Sequence, residues 1–97
     1  MTRDNIKNFK DLPFDEMHGG VGAVLEFNND YGVSVVKHQY SYGGDEGLYE
    51  LAVLLDGSLC YDTYITPDVE GYLSEGDVSE LMLKVQALKP NLQKEVT

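Results

Sequence analysis

The chain has 97 residues and a mass of 10.8 kDa, the size of a single domain. Its 17 acidic residues against 7 lysines and arginines give a net charge of −10 and a pI of about 4.3. Binding to nucleic-acid phosphates or anionic membranes needs basic side chains, so this charge disfavours both as direct partners. With one cysteine and no apolar run of signal-peptide or membrane-span length, we expect a soluble domain of a reducing cytoplasm.

Residues 1–20 predict an N-terminal arm that packs loosely and holds one short helix. Asp4 or Asn5 is placed to cap this helix. Pro13 should end it, because the residue before a proline avoids helical geometry. The glycine-rich stretch 19–22 then predicts a hinge into the first strand.

Residues 21–65 alternate between side-chain types with the period of two that β-strands have. Asp56-Gly57 predicts a two-residue hairpin with Leu55 opposite Ser58. Both faces of that hairpin are apolar, so its strands are either covered twice or present one face as an interface. The four predicted strands are residues 23–27, 33–40, 48–55 and 58–65.

Residues 66–89 predict a helical segment with two starts. Thr66, followed by a proline, begins a short turn that Gly71 interrupts. Ser74 and Asp77 have the spacing of a capping box and begin the main helix. An apolar stripe at helical spacing then has to bury against the sheet, and it consists of Val78, Leu81, Met82, Val85 and Leu88.

Pro90 ends the main helix, and residues 90–97 are predicted to fray. The elements together predict one domain of α+β class. Its architecture is a four-stranded antiparallel meander with one main C-terminal helix packed on one face.

Few groups in the sequence are suited to catalysis. His18 lies beside the glycine-rich stretch, His38 in the second strand and Cys60 in the fourth, and no spacing brings them together as nucleophile and base. The acidic residues lack the spacings that define a metal-coordination sphere. Glu50 and Asp62 point to opposite faces in the predicted register, which argues against shared acid–base work. We expect no enzyme activity, no cofactor and no metal.

Binding is the function that the sequence favours. Tyr40 and Tyr42 flank a glycine-rich loop that continues into Asp45 and Glu46, an arrangement typical of recognition surfaces. The alternative is that the two rings cover a sheet edge.

The charge is concentrated in one span, because no lysine or arginine lies between Lys37 and Lys84. Such a span steers cationic partners towards the protein, or it serves solubility alone. The acidic residues in it that no turn, helix start or helix ion pair explains are Asp45, Glu46, Glu50, Asp62 and Glu70. Together with Tyr40 and Tyr42, they are the predicted partner-binding residues.

Five segments carry a resemblance to a known family: YGVSVV at 31–36, SYGG at 41–44, GLYELAVL at 47–54, YDT at 61–63 and ITPDVEGYL at 65–73. With these segments, residues 21–88 resemble a family of small uncharacterised proteins encoded by bacteriophages. The resemblance implies a phage origin and expression in the host cytoplasm, and it transfers no catalytic residue.

We therefore expect a small acidic phage protein that binds and inhibits a host protein with a basic surface. A nucleic-acid-handling or defence protein, captured by charge mimicry of DNA, is the partner that the acidic span suits. The alternative is a self-assembling or virion-associated module without inhibitory activity, for which the apolar hairpin faces would supply a homodimer interface.

Overall fold

The computed structural model describes residues 6–59 and 69–88, which form one antiparallel sheet and one helix. The strands are β1 (Asp15–Met17), β2 (Gly20–Glu26), β3 (Tyr31–Lys37), β4 (Tyr49–Leu55), β5 (Ser58–Leu59) and β6 (Val69–Leu73), and helix α1 spans Glu75–Gln86. Strands β1 to β5 are neighbours in chain order, and β6 pairs with β4. The α+β class, the antiparallel meander and the C-terminal helix are confirmed.

The hairpin at Asp56-Gly57 has the predicted register, since Leu55 pairs with Ser58. Both turn residues have positive φ, 54° and 86°, as a type I′ turn requires. Of the strand predicted at 58–65, β5 accounts for the first two residues, and the rest lies outside the described residues.

The sheet has six strands in the described residues, whereas four were predicted. One extra strand, β1, comes from a second two-residue hairpin, in which Met17 pairs with Gly20. His18 and Gly19 form its turn with φ of 51° and 81°. The predicted hinge at residues 19–22 is therefore wrong, because a paired strand begins at Gly20.

The other extra strand, β6, occupies residues that were predicted to be a helical turn. Residues 66–68 lie outside the described residues, but residues 69–73 are extended and pair with β4. Pairing is available there because the described part of β5 pairs with β4 at Leu54 and Leu55, beyond the β4 residues that pair with β6. A free strand edge outweighs the weak local preference of a short segment for helix.

Helix α1 covers one face of the sheet and closes the core. Its capping box is confirmed, since Ser74 Oγ accepts from the Asp77 backbone N–H and Asp77 Oδ2 accepts from the Ser74 N–H. The helix buries most of its predicted stripe. The largest fully buried side chains are Leu51, Met82, Val33, Val35, Val53, Val78 and Val85, from β3, β4 and α1.

The N-terminal arm is fastened to α1, so the prediction of a loosely packed arm is wrong. The Gln86 side chain accepts from the Lys7 N–H at 2.7 Å and donates to the Lys7 carbonyl at 2.8 Å. Ser79 Oγ accepts from the Phe9 N–H at 3.0 Å. The Phe9 ring packs 5.1 Å from the Tyr49 ring, centroid to centroid. In the described part of the arm, the predicted helix is a 3-10 turn, Phe9–Asp11, with Asn8 as its N-cap; the predicted caps, Asp4 and Asn5, lie outside the described residues.

Asn29, in the turn between β2 and β3, joins the sheet to the end of the helix. It is the buried polar residue of the described core, and its Nδ2 donates to the carbonyls of Val85 at 2.9 Å and Leu88 at 2.8 Å. Its Oδ1 accepts from the Tyr31 N–H. Carbonyls of a last helical turn lack the usual i+4 N–H partner, so this amide supplies a donor to the Leu88 carbonyl and a second donor to the Val85 carbonyl, which also accepts from the Leu88 N–H at 3.1 Å.

Replacing this amide tests the connection. Asn29→Ala should lower the free energy of unfolding by about 1–3 kcal/mol, because the Val85 and Leu88 carbonyls and the Tyr31 N–H each lose a hydrogen bond. Chemical denaturation measures the loss. The exposed neighbour supplies the control, since Asn28→Ala should change stability by less than about 0.5 kcal/mol. Equal losses in the two variants would contradict the assignment.

Candidate functional site

The strongest candidate site is built on residues 38–47, which connect β3 to β4 and are called here the tyrosine loop. Its first turn is held by His38 and Ser41: the Ser41 hydroxyl accepts from the His38 N–H and donates to the His38 carbonyl, both at 2.9 Å. His38 Nδ1 also accepts from the Tyr40 N–H at 3.1 Å. These short-range bonds leave the Tyr40 side chain 72% exposed.

Glu50 fastens the middle of the tyrosine loop to the sheet. It lies on β4, and its Oε1 accepts from the Tyr42 N–H at 2.7 Å. A charge-assisted bond of this length is among the stronger hydrogen bonds of a protein surface. Glu50, predicted as a partner-binding residue, therefore positions Tyr42 in the loop.

Strand β6 packs against the tyrosine loop through two glycines. Tyr42 lies over Gly71, where an added Cβ would collide with the Tyr42 Cβ. Tyr72 lies over Gly43, where an added Cβ would be 3.1 Å from the Tyr72 ring. The Tyr72 N–H donates to the Tyr42 carbonyl at 3.1 Å. Each tyrosine thus packs against the glycine of the other segment.

Tyr72 was missed in the sequence analysis as a site residue, and its backbone is unusual. Its φ is 58°, in the left-handed region, where a side chain costs roughly 1–2 kcal/mol. It lies where the register of β6 against β4 shifts between the pairs Tyr49–Leu73 and Leu51–Glu70. Such bulges re-aim side chains, and the Tyr72 side chain is 58% exposed.

The two histidines meet beside Tyr40, a proximity that their spacing in the sequence did not indicate. The His18 hairpin and the end of β3 are adjacent, and the rings of His18 and His38 stack edge to face at 5.1 Å. The Tyr40 ring lies 5.6 Å from His18 and 6.0 Å from His38. Cys60, the third member of the imagined nucleophile set, lies outside the described residues.

We call the exposed rings of Tyr40, Tyr42 and Tyr72, with the stacked His18 and His38, the aromatic patch. Tyr42 is 61% exposed, so all three tyrosine side chains are more than half accessible. Tyr42 packs on Gly71 of β6, a strand at the edge of the described sheet, so the alternative that Tyr40 and Tyr42 cover a sheet edge stays a prediction. Tyrosine rings held on ordered backbone offer large contact areas at low entropic cost.

Acidic side chains border the aromatic patch. Asp45 and Glu46 are exposed in a 3-10 turn, Gly44–Glu46, within the tyrosine loop. Glu70 is exposed on β6, and Asp62 lies outside the described residues. In the described ranges 38–59 and 69–83 no lysine or arginine occurs, and Lys37, directly before the tyrosine loop, places its Nζ 4.9 Å from the Tyr49 ring centroid.

Two further findings concern the described residues alone. They contain no group of three or more His, Cys, Asp or Glu side chains that could hold a metal ion. Among them, no helix is both long enough and apolar enough to span a bilayer.

Comparisons with known proteins give no family for this chain. No family model, no curated protein and no solved structure matches it. The chemistry of the aromatic patch is therefore the basis for the function proposed below.

The contact between the tyrosine loop and β6 can be tested through its glycine. Gly71→Ala should lower the free energy of unfolding by about 1–3 kcal/mol, because the new methyl group collides with Tyr42. Amide chemical shifts should change mainly in the tyrosine loop and β6. Gly76→Ala is the control: the site has open space in the first turn of α1, so stability should be unchanged or slightly higher.

Proposed function

We propose that this protein binds and inhibits a protein with a basic surface, and that the aromatic patch with its acidic border is the binding site. The observation that carries the proposal is the exposure of three tyrosines, two of them on the same loop as the exposed Asp45 and Glu46, in segments 38–59 and 69–83 that contain no lysine or arginine. Tyrosine is enriched among the residues that dominate binding energy at protein interfaces. Carboxylates around such a centre select partners by charge and accelerate their encounter.

The partner class follows from the charge and from the resemblance to bacteriophage proteins. A chain with a net charge of −10 attracts surfaces that are built to hold nucleic acid. Within an infected bacterium, such surfaces belong to nucleic-acid-handling and defence proteins. The proposed activity is therefore inhibition of a host protein by occupying its nucleic-acid site, without chemistry.

Affinity capture from bacterial lysate at low and high salt tests this function. The tagged protein should retain a nucleic-acid-handling protein at low salt and release it when salt rises or duplex DNA is added. Release by salt is expected because the Debye length is about 8 Å at physiological ionic strength and shorter above it. The captured protein, once purified, should lose nucleic-acid binding in the presence of the chain.

A charge-matched pair of variants locates the site. Asp45→Asn with Glu46→Gln should weaken capture roughly tenfold, because it neutralises the border of the aromatic patch. Glu75→Gln with Glu80→Gln removes the same charge from exposed positions on α1 and should change capture less than about twofold. Equal effects would indicate attraction by net charge alone, and capture that is indifferent to salt would overturn charge mimicry.

Self-assembly is the second candidate function, and one observation favours it. On the sheet face opposite α1, Val24 is 56% exposed and Leu59 is 53% exposed. Exposed apolar side chains on one face are a common feature of interfaces between copies of a chain. If this function is correct, sedimentation should give a dimer mass that Val24→Asp converts to a monomer mass. A monomer at high concentration would reject it.

A further inference from the structure

We propose that the aromatic patch is a site for arginine side chains of a protein partner and prefers arginine over lysine at equal charge. The inference rests on the proposed function and deepens it, because it names the chemistry that the basic partner must present. The observation behind it is the combination of exposed tyrosine faces with carboxylates on one short loop.

The site offers two kinds of group, aromatic faces and carboxylates, and a guanidinium group can bind both at once. The planar guanidinium stacks on an aromatic face while its N–H groups remain free for a carboxylate. Tyr40 and Tyr42 supply such faces. Asp45 and Glu46 follow Tyr42 within four residues on the tyrosine loop. The lysine ammonium is a compact, strongly hydrated charge and gains less from a ring face.

The backbone holds the rings before any partner arrives. His38 and Ser41 fold the start of the loop, and Glu50 fixes Tyr42 to β4. Tyr72 is placed on β6, against Gly43. Rings that are already ordered lose little freedom on binding, so the interaction energy is retained as affinity.

The stacked histidines support one side of the patch. His18 and His38 both contact Tyr40 edge to face, and the Tyr40 side chain nevertheless remains largely accessible. The rest of its surface is therefore available to a stacking cation. Charge complementarity supports the proposal, because residues 38–59 and 69–83 contain no lysine or arginine that could occupy these rings.

The test compares two peptides of equal charge, nona-arginine and nona-lysine, binding to the full chain in calorimetric titrations at physiological salt. The protein should bind the arginine peptide about fivefold more tightly. Tyr40→Leu with Tyr42→Leu should reduce this preference to less than about twofold while leaving the lysine peptide's affinity nearly unchanged, since both carboxylates remain.

Two further variants separate the ring from its surroundings. Tyr40→Phe with Tyr42→Phe keeps the aromatic faces and should retain the arginine preference, which a role of the hydroxyl groups would not predict. Tyr72→Gly relieves the left-handed backbone and removes the ring, so it should fold and yet show a smaller preference. Amide spectra establish that each variant is folded.

The outcomes distinguish this inference from the proposed function. Equal affinities for the two peptides, or a preference that survives the double Leu variant, would overturn the arginine site even if salt-sensitive capture of a host protein persists. The converse result is also possible: no host protein is captured in a salt-sensitive way, but the arginine preference is observed and is lost in the Leu variant. That result would reject the inhibitory function and keep the arginine site. Binding of neither peptide would overturn the arginine site as well.

Discussion

The fold depends on one buried amide. Asn29 lies in a sheet turn, yet its Nδ2 donates to carbonyls at the end of α1, so the sheet and the last helical turn are positioned by the same side chain. A buried amide tolerates little displacement of its partners, because each lost bond leaves a polar group without water. Val85, whose carbonyl accepts one of these bonds, is itself fully buried in the core.

The site depends on a different contact, at the other end of the sheet. Strand β4 shares one edge between β5 and β6, and this places β6 beside the tyrosine loop. Two glycines allow the segments to approach so closely that tyrosine rings lie on backbone. Exposure of aromatic rings here is thus a consequence of close backbone packing beneath them, and the surface needs no cleft.

Structural features that depend on residues close in the sequence were predicted, and features that depend on residues far apart were not. Asp56-Gly57 and the capping box of Ser74 and Asp77 act within a few residues, so the sequence was sufficient to place a hairpin and the start of the helix. The contact between Gly71 and Tyr42 joins residues far apart in the chain, and the bonds of Gln86 to the arm do so over 79 positions. The hairpin at His18 had a local signal, a glycine after a residue that tolerates positive φ, but a weak one.

The clamp between Lys7 and Gln86 has a consequence for the order of events during synthesis. The arm is synthesised 79 positions before the side chain that holds it. Contacts between residues so far apart in the sequence form late and slowly, because the entropy cost of closing the intervening chain must be overcome first. The backbone of the arm therefore stays unclamped until translation has passed the helix, whereas Tyr49 of β4, against which the Phe9 and Phe14 rings pack, is synthesised earlier.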